Sequence, residues 1–576
     1  MLQYLKKYKK ECVLAPLFKM FEALLDLLVP LVVASIIDRG IGGGSAGHIW
    51  RMCGLLVALA LVGLAAAVVA QFFAAKAATG FAADVRHALF ARLTALSFPD
   101  VDRVGVPAMM TRMTSDVNQA QTGVNMALRL LLRSPFVVLG AMVMAFTIDA
   151  RCALIFVAVI AALSLVVYAI MAANIPMMAG VQRQLEAVLA ATRENLAGAR
   201  VIRAFGREDA EFEAFRAKNR ELTHRQRRAG HVSALLNPVT YVLINAAVIV
   251  LVRQGAIRVN DGALTTGAVV ALYNYLSQIL VELVKFASLT ITINKAWASW
   301  KRIEDALALE PSIADPGSMA EAPDPAAPAV RFSHVDLTYP GAASPALRDV
   351  DFAAWPGQTV GIIGGTGAGK SSVAGLIPRF YEATGGEVLV QGVSVRCWPR
   401  QALRRQVGVV PQKASLFKGT VRDNLRWGRD DATDADLLAA AEAAQATDVL
   451  AAKGGLDGEI TQNGGNLSGG QKQRLTIARA LVRRPPILIL DDSASALDMA
   501  TDARLRRAIA NLDYRPTTFI ISQRCASVMA ADFILVLDDG RVVGQGKHAD
   551  LLETCPVYRE IYESQFGTAQ IGRAHV

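Results

Sequence analysis

GGTGAGKS, at residues 364–371, has the composition of a phosphate-holding loop. Its glycines let backbone N–H groups curl around anionic oxygens, and the helical SSVAGLIPRFY that follows would turn its positive end toward them. The strand-like QTVGII (358–363) comes first, completing the strand-loop-helix context a P-loop requires. Gly364, Gly365, Thr366, Gly367, Ala368, Gly369 and Ser372 are expected around the phosphates, with Lys370 reaching the β- and γ-phosphates and the Ser371 hydroxyl on Mg2+. Far along the chain the apolar run ILIL (487–490) ends in Asp491, placed to supply a carboxylate for that magnesium. Alone, such an aspartate is most often a turn residue; beside a P-loop it acquires a chemical reason.

These residues need a scaffold, and the 576 residues are too many for one ordinary core. Hydrophobic residues make up 53% of the chain, high for a soluble protein, and they are concentrated before about residue 290. Six apolar runs there, centred on 13–37, 53–75, 134–149, 152–172, 235–252 and 265–288, approach the ~20 residues that cross a bilayer as a helix. MLQYLKKYKKE reads as an amphipathic surface helix, with no cleavable signal pattern. The net charge of +10 does not imply a nucleic-acid partner, because the basic residues cluster before the first run and in the connections after the second and fourth. By the positive-inside rule both termini and those connections are cytoplasmic, in a multi-pass protein of the cytoplasmic membrane. The two long connections, roughly 76–133 and 173–234, are poor in Pro and Gly and should extend the spans as helices, with tips near 115–119 and 205–215 suited to docking on another domain.

EPSIADPGSMAEAPDPAAPA (310–329) separates this transmembrane domain, 1–309, from a domain at 330–567 in which short β-rich runs alternate with helical stretches. The expected class is therefore a six-span α-helical domain with long cytoplasmic extensions, followed by an α/β P-loop domain with parallel strands. Six scattered cysteines form no CxxC pair, which argues against a disulfide framework or a structural zinc site. In the last run Asn274, Gln278, Glu282 and Lys285 share one helical face, read as the lining of a transport cavity, with a structural interhelical pair as the alternative; Lys19, Glu22 and Asp26 make a similar stripe in the first, facing cargo or other helices. The tail TAQIGRAHV (568–576) has two readings: a non-native end, since IGRAHV back-translates to something like a sequencing-adapter read, or a short disordered tail.

LSGGQ (467–471), with the P-loop, Asp491, SALD (495–498), Gln412 in VVPQ and Tyr339 in LTYP, resembles the ATP-binding-cassette transporters, and the six spans resemble their exporter branch. The resemblance covers about 1–566. It implies two such halves in a membrane, sandwiching two ATP molecules head to tail between the P-loop of one and the LSGGQ of the other. Tyr339 would stack on adenine and Gln412 would sense Mg2+ and the γ-phosphate. Ser468, Gly469, Gly470 and Gln471 would belong to the opposite site, Ser468 and Gly470 touching its γ-phosphate. Three positions depart from the family pattern: Asp492 where the general-base glutamate is expected, Gln523 where the switch histidine is expected, and TQNG (461–464) for GERG. Together they suggest the degenerate-site subunit of a heterodimeric exporter, binding ATP well and splitting it slowly. A homodimer using the shorter Asp as base, or a nucleotide-gated channel on the same fold, are the alternatives. The cargo would be amphipathic or weakly charged: a small molecule, lipid or peptide.

Overall fold

A computed structural model describes residues 1–319 and 322–567, so the suspect tail lies outside the described residues. The chain forms two compact units, one of Met1–Thr94 and Pro107–Leu309, the other of Ala95–Val106 and the residues from Glu310 on.

In the first unit six helices are long and apolar enough to cross a membrane: Leu2–Ile41, Ala46–Ala95, Val106–Ile148, Ala150–Ala197, Glu208–Asn260 and Thr266–Leu307. The 48 residues of the fourth would run ~70 Å, more than twice the ~30 Å of a hydrocarbon core. Such helices continue well beyond their apolar stretch as polar legs. Small residues let them pack closely: a Cβ on Gly123 would lie 2.1 Å from that of Ala296, and one on Gly140 would lie 2.4 Å from the Leu27 side chain. The third and fourth spans are separated at Asp149, whose extended backbone breaks the helix while its carboxylate accepts from the Cys152 N–H and pairs with Arg258 at 2.6 Å. Tyr275, fully buried, donates its hydroxyl to the Leu27 carbonyl at 2.6 Å and ties the last span to the first.

The two long connections differ from each other. Between the fourth and fifth spans the legs meet along a thin seam of Val181, Val188, Leu222 and Ala229, and Phe205 and Phe212 at the tip are exposed. The expectation of a tip at 115–119 is corrected. Asp116 there is only 3% exposed and accepts from the Arg302 guanidinium at 3.0 Å, and Val117, Ala120 and Val124 pack against Trp300 and Ile303 of the last span. The polar letters of SDVNQ hide this i, i+3, i+7 apolar stripe. The turn comes earlier, at Ala95–Val106, which belongs to the second unit. There Ser97 and Asp100 form a capping box that starts the short helix Phe98–Val104, and Gly105, at φ 79°, ends it.

The second unit holds a six-stranded sheet in the order Arg541–Gly546, Phe533–Asp538, Thr359–Gly364, Thr517–Ile521, Ile487–Asp491, Val407–Val410, all parallel except the first. Alternate residues of the inner strands enter two apolar cores: Ile362, Ile489 and Phe519 face one, Ile363, Leu488 and Ile520 the other. The expected parallel strands are accompanied by an antiparallel sheet of Leu347–Ala354, Val330–Leu337, Gly385–Val390 and Val393–Ser394. In the main sheet the strands ending at Gly364, Ile521 and Asp491 are neighbours, so their carboxyl ends open on one edge, where α/β sheets bind ligands.

Candidate nucleotide-binding site

At that edge a cavity of about 340 Å³ gathers Tyr339, Thr366, Gly367, Gly369, Lys370, Ser371, Ser372, Gln412, Asp491, Asp492 and Gln523. The loop is glycine-rich for steric reasons that the neighbours make plain. Gly367 and Gly369 have φ of 84° and 94°, and a Cβ on Gly364 would strike the Leu537 carbonyl at 2.1 Å. Gly369 also caps the helix Lys370–Leu376, whose first turn thereby faces the cavity. The Lys370 ammonium folds back onto the carbonyls of Gly364 and Gly365, at 2.8 and 2.6 Å. Burial pushes its pKa down against the pull of Asp492 and Asp491.

Ser371 donates its hydroxyl to Asp491 at 3.1 Å. Burial drives the Asp491 carboxyl above its ordinary range; the Ser371 hydrogen bond opposes this, Asp492 adds to it, and Lys370 opposes it more weakly. A hydroxyl beside two crowded carboxylates is an oxygen-only donor set that suits a hard divalent cation, whose charge would relieve the crowding. Among the described residues no group of three or more His, Cys, Asp or Glu could hold a metal alone. A magnesium ion completed by substrate phosphates needs only one or two carboxylates.

Asp492 has a left-handed backbone, φ 45°, with its N–H bonded to the Ile521 carbonyl at 2.9 Å. Gln412 donates its side-chain amide to the Asp492 carboxylate at 3.1 Å. Tyr339 and Ser372 share a hydrogen bond of 2.9 Å between their hydroxyls. Two residues that bear on the site escaped the sequence reading. Gln565, in the helix Pro556–Phe566, accepts from the Cys525 N–H at 2.9 Å and donates to the Gln523 carbonyl at 2.7 Å, bracketing the Gln523 loop. Arg524 donates to the carbonyl of Ser495 in SALD at 3.2 Å. Neither bond follows a motif, because each is made to backbone.

Ser468, Gly469, Gly470 and Gln471 are not at this cavity. Ser468 caps the helix Gly469–Val482 in a reciprocal box with Gln471, whose N–H donates to the Ser468 hydroxyl at 3.3 Å. In the first unit Asn274, Gln278, Glu282 and Lys285 do come together, lining a separate cavity of about 490 Å³ with Asp26 and Arg133. The sequence reading had Asp26 only as part of a stripe and did not single out Arg133, which borders an apolar run and passes for a flanking charge.

Six apolar helices followed by an α/β domain with a P-loop at its sheet edge define a membrane protein with a nucleotide-binding domain. Residues 12–283 match the ABC transporter transmembrane region and residues 347–495 the ABC transporter family. The chain is 35% identical to the ABC transporter ATP-binding protein YfiB of Bacillus subtilis, over 98% of each chain. It is 33% identical to Rv1273c of Mycobacterium tuberculosis, over 99% of this chain and 98% of that one. A Mycobacterium bovis protein named as a fatty acid ABC transporter ATP-binding/permease protein is 32% identical over 79% of this chain and 71% of its own. A bacterial Atm1-family ABC exporter, solved with ATP bound, superposes with a TM-score of 0.80 at 25% identity, over 98% of both chains. The chain belongs to the ABC transporter family, as a half-transporter of the type IV exporter fold that couples ATP to transport.

Proposed function

We propose that this chain is the degenerate-site half of a heterodimeric exporter of the cytoplasmic membrane, with both termini in the cytoplasm, that moves an amphipathic solute outward. The observation that carries the reading is that both departures in catalytic residue type, Asp492 and Gln523, line one cavity with the P-loop, while LSGGQ stands intact elsewhere in the chain. Asp is one methylene shorter than Glu, and a misplacement of ~1 Å can slow a reaction roughly 100-fold. Gln523 accepts and donates hydrogen bonds but carries no titratable proton.

In this reading the P-loop amides, Lys370 and Gln412 hold the nucleotide phosphates, Tyr339 stacks on the base, and Ser371, Gln412 and Asp491 hold Mg2+, which would neutralise phosphate charge. Ser468 and Gly470 complete the partner's site. The exposed Phe205 and Phe212 tip docks on the partner's nucleotide-binding domain, and the Ala95–Val106 segment links nucleotide state to the spans. Asn274, Gln278, Glu282 and Lys285 line the transport path. The fatty acid transporter among the relatives agrees with an amphipathic cargo.

The test is ATP turnover by the chain alone in lipid vesicles, compared with the double variant Asp492→Glu, Gln523→His. Restoring both groups should raise turnover by about 100-fold. Equal turnover, or brisk turnover by the unmodified chain as a symmetric pair, would overturn the assignment.

A further inference from the structure

We propose that the membrane cavity is a subsite for a zwitterionic amphipath, with Asp26 receiving its cationic group and Lys285 its anionic group. The proposal rests on the export reading for its biological sense, though not for its test.

Four ionised side chains from three spans join end to end with alternating sign. The Asp26 carboxylate meets Arg133 at 2.9 Å, Arg133 meets Glu282 at 2.5 Å, and Glu282 meets Lys285 at 3.1 Å. The middle is closed. The side chains of Arg133 and Glu282 are 12% and 5% exposed, and the second oxygen of Glu282 accepts from the Ser134 hydroxyl at 2.8 Å. The ends are open, with Asp26 46% and Lys285 49% exposed and both lining the cavity. Glu22 lies at the edge of this row, 4.0 Å from Arg133, and is itself paired with Lys19 at 2.5 Å.

The row sums to zero charge, and that decides the class of ligand. A lone cation drawn to Asp26 would share the cavity with Lys285, and a lone anion drawn to Lys285 would share it with Asp26. A zwitterion satisfies both ends by lying antiparallel to the row. A second observation points the same way: Gln278 lines the cavity, and its side-chain oxygen is buried with no hydrogen-bond partner among the described residues, an acceptor free for an N–H or O–H donor. The volume of about 490 Å³ falls within the ~300–1,000 Å³ of small-molecule sites. Ionisable groups within a membrane segment are expensive unless they face such a cavity.

The experiment uses the full chain in lipid nanodiscs without nucleotide and three dansyl probes of equal tail length, ending in trimethylammonium, sulfonate or sulfobetaine. Binding is read by fluorescence. The sulfobetaine should bind tightest, by about 10-fold, the equivalent of one added favourable contact. Asp26→Asn should shift the preference toward the sulfonate, and Lys285→Met should shift it toward the trimethylammonium probe. Opposite shifts cannot come from misfolding, which would weaken all three probes together. Equal binding of the three probes to the unmodified chain, or parallel losses in the two variants, would overturn the proposal. Failure of vesicles to accumulate solute on adding ATP would instead count against the export reading and leave the binding preference standing.

Discussion

In the candidate nucleotide cavity six lining residues, Thr366, Gly367, Gly369, Lys370, Ser371 and Ser372, come from one continuous loop whose path is set by its glycine backbone. In the membrane cavity the charged groups come from residues 26, 133, 282 and 285, and they act only through side chains. The first kind of site is shaped by backbone geometry, so losing a side chain there should damage chemistry more than stability. The second is a charge network whose buried middle, Arg133 and Glu282, keeps itself neutralised, so losing one of those two should damage the fold first, whereas the exposed ends, Asp26 and Lys285, can be changed at little cost to it. The largest expected effect tests that half of the contrast. Glu282→Gln strips the Arg133–Lys285 stretch of its shared counter-charge and should destabilise the protein by about 3–5 kcal/mol, the range for breaking a buried pair. The paired change Arg133→Leu with Glu282→Leu should recover much of that loss. Unfolding midpoints in detergent would show both, and a harmless single variant would break the comparison.

The next largest effect tests the other half. Lys370→Met removes an ammonium that already bridges two loop carbonyls, yet those carbonyls sit in a loop shaped by its glycines. ATP turnover should fall by roughly 100-fold, the scale for deleting one preorganised electrostatic group, while the unfolding midpoint moves little. A collapse of stability instead would mean that the loop depends on the lysine for its shape.

The same contrast explains what could be read from the chain. The P-loop was legible because its atoms are consecutive and its neighbours, a strand and a helix, announce themselves by period. Asp491, Asp492 and Gln523 could be named one by one, but their meeting depends on the sheet order that sets Thr517–Ile521 between Thr359–Gly364 and Ile487–Asp491, and no local pattern encodes that order. Half of the membrane row was legible, since Glu282 and Lys285 share a helix face with Asn274 and Gln278. Arg133 was not, because a charge bordering an apolar run looks the same whether it points to headgroups or inward to Glu282. The tip was misplaced at 115–119 because composition outvoted spacing: Val117, Ala120 and Val124 were there to be counted. The antiparallel sheet was also missed, as its strands alternate polar and apolar residues without the continuous apolar runs that marked the parallel ones.

Gln565 sharpens the comparison, because it serves the nucleotide cavity in the manner of the membrane one, by a side chain from a distant helix. Replacing it with Leu removes two hydrogen bonds of about 1 kcal/mol each and frees the loop that carries Gln523. ATP turnover at saturation should drop about 5- to 30-fold with little change in KM, since the P-loop contacts are untouched. Gln565→Glu keeps the acceptor for the Cys525 N–H and should fall between. A rise in KM with unchanged maximal turnover would make Gln565 a contributor to nucleotide binding rather than to loop position.

The smallest effect concerns Asp100, which combines both modes of construction: a local helix cap that also reaches across the chain. Its carboxylate accepts from the Ser97 N–H at 3.2 Å and from the Ser312 N–H at 2.9 Å, so it fastens the Ala95–Val106 segment to the chain entering the nucleotide-binding unit. Burial alone would raise the Asp100 pKa; the hydrogen bonds from the Ser97 hydroxyl and the Ser312 and Ser97 amides outweigh it and hold the carboxyl below its usual range. A carboxyl whose pKa is lower folded than unfolded stabilises fully above the unfolded value of about 3.9, and its contribution disappears as pH falls through the folded one. Asp100→Asn should therefore cost about 1 kcal/mol, the usual scale for a helix N-terminal cap, by the same amount at pH 6 and pH 9, and the gap to the unmodified protein should narrow only in acid, below about pH 4. Faster hydrogen exchange at the Ser97 and Ser312 amides would localise the loss to this clasp, whereas a cost that changes between pH 6 and pH 9 would assign the stabilisation to a different titrating group.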